Sequence, residues 1–297
     1  MKERILIQIF PMVGDIDYLE KTLFQLTQNS PYIDRSKFHI ILDVTYPMSD
    51  FFTNWEESKL DKSFFIKKFE SLKKYGEWYD ESYFNIDYEV KGCVDLCINN
   101  IYKYDVDSIL MLDVDIMFNP QTLNIILESS LQIPKTESPN YIITPEYTKL
   151  WDNSWDPLVN DLHLNSQFNA EDDPIVNSSL TYGELSIEPL LKGGKKLFKF
   201  GGGWFTLFSK HLLDSIEFPR DIYGYGAIDT FIMLYCNTVP NATQYKVKNL
   251  VVCEDRKFLG RGVYSSYIKT IDRRNESKQE IWGKLISHLN TKINTQT

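Results

Sequence analysis

Two carboxylates one residue apart, Asp113 and Asp115, close the run Asp107-Ser-Ile-Leu-Met-Leu-Asp-Val-Asp-Ile-Met-Phe-Asn-Pro120. Ionised side by side they repel, so the pair is comfortable only in open water or with a cation between them and a ligand. A hard divalent ion such as Mn²⁺ or Mg²⁺ takes oxygen ligands and commonly shares them between protein carboxylates and substrate phosphates. The chemistry open to the pair is therefore to hold a metal-bridged phosphate. The plain alternative is a solvated turn after a strand, where Asp is common.

A second set lies downstream. Phe200-Gly-Gly-Gly-Trp-Phe-Thr-Leu-Phe-Ser209 is a Gly-rich turn leading into an apolar strand, and consecutive glycines let backbone approach a ligand closely. It does not fit a P-loop, which needs Gly-Lys-Ser or Gly-Lys-Thr after its spacer. Next comes Phe218-Pro-Arg-Asp-Ile-Tyr-Gly-Tyr-Gly-Ala-Ile-Asp229, with an apolar helix continuing from Thr230. A carboxylate in the first turn of a helix is stabilised by the dipole and stays ionised, a suitable state for a base that accepts a hydroxyl proton. An isolated Asp there also serves simply as a cap.

The elements that must position these residues read as a βαβ array. Ile5 to Phe10 is a first strand, Tyr18 to Gln28 an amphipathic helix, and Phe38 to Val44 a second buried strand that carries Asp43 and Thr45 to its carboxyl end. Ser58 to Tyr75 reads as a helix with a basic, solvated face. Lys91 to Tyr104 reads as a helix beneath the strand Ile109 to Leu112, giving a β, α, β, α, β order with parallel pairing. Because side chains alternate along a strand, Asp113 and Asp115 project to the same side at its carboxyl end, where open α/β sheets bind ligands. Gln121 to Leu131 is a further helix, Tyr141 to Thr144 a strand, and Lys210 to Ile216 a helix capped by Ser209. Lys149 to Pro189 is a long irregular stretch, read as a binding loop or lid with disorder as the competing reading.

Composition sets limits. The chain has 297 residues, 43% hydrophobic and 25% charged, values ordinary for a folded protein with a substantial core. A net charge of −9 argues against a nucleic-acid partner, so an anionic substrate would need a metal or a few focused Lys and Arg side chains. The four cysteines show no metal-binding spacing and are too sparse for a disulfide scaffold; buried thiols and a cytoplasmic setting are expected. No stretch reaches the length of a membrane span.

Together the two constellations resemble the glycosyltransferase family 2 pattern of the GT-A fold, over Ile5 to Asp255. The matching parts are a first strand ended by proline, the helix Gly92 to Asn99, Leu-Asp-Val-Asp115, Gly-Gly-Gly-Trp-Phe205, and Gly-Tyr-Gly-Ala-Ile-Asp229, which is similar to the family's Gly-Trp-Gly-Gly-Glu-Asp. The resemblance implies an α/β GT-A fold, a mostly parallel central sheet flanked by helices. It implies a single domain, with residues 1–120 binding nucleotide sugar and 121–297 binding acceptor. It further implies that Asp113 and Asp115 hold Mn²⁺ or Mg²⁺ and the diphosphate of a UDP- or GDP-sugar. Asp229 would activate the hydroxyl of a glycan or other acceptor for an inverting displacement. Asp43, Gly202, Gly203, Trp204 and Arg256, with Arg261, are candidates to contact the donor. The chain departs from the family where Ile228 replaces an acid before Asp229, and where Glu254-Asp255-Arg256 stands in place of a late histidine ligand.

Three rivals share parts of this pattern. A haloacid dehalogenase-type phosphatase also carries Asp-x-Asp after a strand, but Met117 stands where that family prefers Thr or Val. A nucleotidyltransferase should show a basic Gly-rich loop after strand one, which Phe-Pro-Met-Val-Gly14 is not. A GT-A-like carbohydrate-binding protein would keep the fold without turnover.

Overall fold

The computed structural model describes residues 2–50, 55–58, 60–114, 116–149, 185–188, 205–219, 228–236, 239, 241–254 and 278–295. The chain opens with β1 (Glu3–Ile9), in which Ile5, Ile7 and Ile9 face one layer and Leu6 the other. Burial on both faces is what a strand inside a parallel sheet demands, since crossover helices cover both sides. Helix α1 (Ile16–Asn29) lays Leu19, Leu23 and Leu26 on the first face, at the three- and four-residue spacing of a helical stripe. Each such fully buried aliphatic side chain contributes about 1.5–3 kcal/mol.

β2 (Phe38–Pro47) pairs with β1 in parallel register. The single helix expected over 58–75 is divided in the structure. α2 (Trp55–Ser58) and α3 (Lys62–Ser71) are separate, and a 3-10 stretch then runs from Leu72 to Trp78. The break is local: Asp61 caps α3, its carboxylate accepting from Ser63 N at 2.9 Å, and a capping side chain of this kind starts a helix rather than continuing one. A strand absent from the expected order comes next, β3 (Glu81–Asp87), parallel to β2 at the sheet edge. Its side chains are exposed or half-buried, so it lacks the apolar run by which an interior strand announces itself.

Helix α4 (Cys93–Ile101) crosses back over the second face, packing Val94, Cys97, Ile98 and Ile101 against Leu6, Ile41, Ile109 and Met111. It leads into β4 (Ser108–Leu112), which pairs in parallel with the far side of β1. After the acidic turn come β5 (Ile116–Met117), α5 (Thr122–Ser130), β6 (Tyr141–Lys149), β7 (Leu185–Glu188) and β8 (Phe205–Ser209). Next are α6 (Lys210–Asp214), α7 (Ile228–Cys236), β9 (Thr243–Glu254) and α8 (Lys278–Thr295). Ser209 caps α6 as expected, accepting from Leu212 N at 3.3 Å.

Among the described residues the sheet order is β3-β2-β1-β4-β8-β6-β9, with β5 and β7 both on β9. β8 runs antiparallel between β4 and β6, while β6 and β9 are parallel over a long register. The α/β class, a mixed and largely parallel sheet flanked by helices, is therefore as the sequence led one to expect. Ile228, Phe231, Ile232, Tyr235 and Cys236 of α7 join Leu285 and Leu289 of α8 in the α4-side core. Cys97 and Cys236 are buried. No described helix is long and apolar enough to cross a membrane.

Candidate functional site at the carboxyl end of β4

β1 connects through α1 to its neighbour on one side, β2, whereas β4 arrives on its other side. The connections therefore diverge at β1 and β4, and a crevice opens beyond the carboxyl ends of strands at such a switch point. Asp113 emerges there, immediately after Leu112, and is half-buried. Asp115 lies outside the described residues.

The turn that carries Asp113 is held by α1. Thr22 Oγ1 donates to the Val114 carbonyl at 2.5 Å. Gln25 uses both ends of its amide, donating from Nε2 to Ile116 O at 3.4 Å and accepting from Phe118 N at 3.1 Å. Asn29 Oδ1 accepts from Leu123 N at 3.0 Å, fixing the start of α5. These three polar residues were not singled out from the sequence. The signal was their spacing by three and four along the apolar stripe of α1, where polar groups persist only with partners. Apolar contacts complete the support: Val114 and Ile116 are buried, and the rings of Phe118 and Phe205 lie 5.0 Å apart.

Backbone register brings two further segments to this place. Phe205, next in sequence after Gly201-Gly202-Gly203-Trp204, pairs with Leu112, the residue before Asp113. Glu254, at the end of β9, pairs with Ile116, the residue after Asp115. Gly202, Gly203, Trp204, Arg256 and Arg261 themselves lie outside the described residues. Asp229 is the second residue of α7, and its side chain is not among those described. Its neighbour Ile228 is 8% exposed and packed in the core, so an apolar residue at that position answers a packing requirement.

Asp43 is placed differently from the expectation. β2 continues to Pro47, so Asp43 is inside the strand rather than at its carboxyl end, and it is fully buried. Its Oδ1 accepts from Thr45 Oγ1 at 2.9 Å, and its Oδ2 from Lys103 Nζ at 3.1 Å and from the Tyr104 hydroxyl. Burial, reinforced by donation to this carboxylate, pushes the Tyr104 phenol well above its ordinary pKa. A carboxylate buried in this way is stabilised by donors from its own protein, and the geometry makes Asp43 an anchor for the segment after α4.

Among the described residues no group of three or more His, Cys, Asp or Glu side chains stands ready for a metal. The donor chemistry nevertheless suits a hard cation, since Asp113 brings a carboxylate to the carboxyl end of β4.

No family model matches the sequence, and no curated protein matches it. Among solved structures the chain is similar to S. aureus TarS, with 12% identity and a TM-score of 0.49 over 97% of this chain and 43% of that one. TarS 1–349 in complex with UDP-GlcNAc gives 13% identity and a TM-score of 0.47, covering 86% of this chain and 58% of that one. The complex of TarS 1–349 with UDP gives 12% and 0.49, covering 95% and 68%. The chain thus spans less than half of the first of these chains.

Proposed function

We propose that this protein is a metal-dependent glycosyltransferase of GT-A type that moves a sugar from a nucleotide-diphosphate donor to an acceptor hydroxyl. The observation that carries the reading is the position of Asp113. It leaves the sheet at the topological switch point, on a turn clamped by Thr22 and Gln25 and flanked in register by the segment after the glycine run and by the end of β9. Of the motifs on which the family 2 resemblance rests, Leu-Asp-Val-Asp115 supplies Asp113, and Gly-Gly-Gly-Trp-Phe205 ends in the residue paired with Leu112.

In this reading Asp113 and Asp115 hold Mn²⁺ or Mg²⁺. A bound divalent ion neutralises the charge that gathers on a leaving diphosphate. The chain's own residues do the rest. Gly202, Gly203 and Trp204 lie beside the donor, and Arg256 adds a cation for its phosphates. Asp229, in the first turn of α7, accepts the proton of the acceptor hydroxyl as that oxygen attacks the anomeric carbon from the face opposite the leaving group, inverting it. Residues 1–120 serve the donor and 121–297 the acceptor.

The test is a panel of nucleotide sugars that includes UDP-GlcNAc, the ligand of the TarS complex, incubated with the protein and Mn²⁺ with and without chelator. Release of nucleotide from one donor, dependent on metal and abolished by Asp113→Ala or Asp115→Ala, supports the proposal. Phosphate release from monoesters without nucleotide-sugar turnover would replace it with a phosphatase. Saturable sugar binding without either activity would leave a carbohydrate-binding protein.

A further inference from the structure

The carboxyl-terminal helix α8 packs against α7. Leu285 and Leu289 of α8 are buried in the α4-side core with Ile228, Phe231, Ile232 and Tyr235 of α7. His288 shares their face, three residues after Leu285 and one before Leu289, and is half-buried. Cover alone would be served by a third aliphatic side chain. An imidazole adds direction, because its N–H must meet a particular acceptor at a favourable angle.

His288 makes two contacts, to different parts of the chain. Its Nε2 lies 2.9 Å from the Glu217 carbonyl oxygen; a carbonyl only accepts, so Nε2 carries the proton and donates. The adjacent carbonyl, Ile216 O, accepts from the Tyr102 hydroxyl at 3.3 Å, from the end of α4. Residues 216–218, which follow α6, are thereby tied to two other helices. The second contact is to α7: the His288 ring lies 6.1 Å from the ring of Phe231. Phe231 is fully buried and also meets Tyr235 at 5.8 Å and Phe218 at 6.1 Å, separations at which aromatic pairs hold a preferred relative geometry. One side chain therefore links the end of the α6 segment to the first turn of α7.

Asp229 stands two residues before Phe231, in the same turn of α7. The regular geometry of a helical turn fixes successive residues relative to one another, so whatever holds Phe231 also sets where the Asp229 backbone lies. We propose that His288 is a positioning residue for Asp229: by bridging Glu217 and Phe231 it fixes the first turn of α7 against the segment that follows α6. The proposal rests on the transferase reading, in which Asp229 is the base, and adds to it a residue of the carboxyl-terminal helix that acts through another. Placement of this kind matters because a reacting group works only within a narrow range of distance and angle.

The experiment compares wild type with His288→Phe, which keeps a ring but has no donor, and His288→Gln, which keeps a donor but no ring. Two readouts are taken on the full chain: steady-state turnover of the nucleotide sugar found in the donor panel, and hydrogen–deuterium exchange across α7 without donor or metal. Both variants should lower kcat about 10–10²-fold, as displacement of a reacting group by about 1 Å does, with donor KM unchanged. Exchange in α7 should quicken in both, while β1, β2 and β4 keep their protection. General loss of stability does not produce this split, so Asp80→Asn, which weakens the β3 edge, should leave kcat as in wild type. Unchanged kcat in both His288 variants, a fall in kcat without faster exchange in α7, or an equal fall in Asp80→Asn would each overturn the proposal. Wild-type protein that turns over no nucleotide sugar would overturn the transferase reading and this role with it. Intact turnover in the His288 variants would overturn the role alone, so the two failures are distinguishable.

Discussion

Lys103 Nζ lies 3.1 Å from Asp43 Oδ2, tying the segment that leaves α4 to the middle of β2. Tyr104 donates to the same carboxylate oxygen, and the Lys103 ammonium sits over the Tyr104 ring at 4.7 Å. The chain between α4 and β4 is therefore moored to the sheet immediately before the strand that presents Asp113.

Tyr104→Phe deletes one donor to a buried carboxylate and should cost about 1–3 kcal/mol, measured by urea denaturation at neutral pH. The phenol is held protonated by burial and by Asp43, so its folded pKa lies above its unfolded value. Its contribution is then complete below the unfolded tyrosine value of about 10 and declines as pH rises beyond it. The gap between wild type and Tyr104→Phe should narrow in alkali; a gap that widens would show the linkage to be wrong.

Thr22→Val keeps the shape of a fully buried side chain but removes the donor to Val114 O. The expected cost is about 1–3 kcal/mol, because the carbonyl is left unmatched in the core. Under the proposed function the acidic turn also loosens, and nucleotide release should fall while Mn²⁺ still activates. Equal activity and stability in the variant would mean that α1 does not position the turn.

Asp229→Asn removes the proposed base while keeping size and polarity at the second residue of α7. Transfer to acceptor should fall about 10²–10⁴-fold, with nucleotide-sugar affinity retained. Transfer that survives intact would move the role to another residue.

Asp80 should report on acid stability. Burial alone would raise its pKa, but Ile40 N at 2.7 Å and the Arg35 guanidinium at 2.9 Å outweigh this and hold the carboxyl below its ordinary range. Its stabilisation is thus present above the unfolded value of about 3.9 and lost as pH falls through the lower folded value. Asp80→Asn should lower the denaturation midpoint at neutral pH, and the difference from wild type should vanish toward about pH 3 and below.

The sequence by itself determined the interior of the fold. Apolar runs at Ile5, Phe38 and Ile109, separated by amphipathic stretches, specify strands buried on both faces and the helices that cover them, because burial of such residues dominates the energy of folding. It also determined that Asp113 and Asp115 come directly after an interior strand, since side-chain alternation and strand ends are local properties. The edge was not legible in the same way: β3 and β5 are short or half-exposed, and such strands exist through pairing with neighbours distant in sequence. Only the tertiary structure decided that Asp43 lies within β2, bound to Lys103 and Tyr104. The polar side chains of α1 that clamp the acidic turn and the register of Glu254 beside it became visible in the same way. Each is a contact between residues far apart along the chain, and no local pattern specifies which buried polar group will meet which partner.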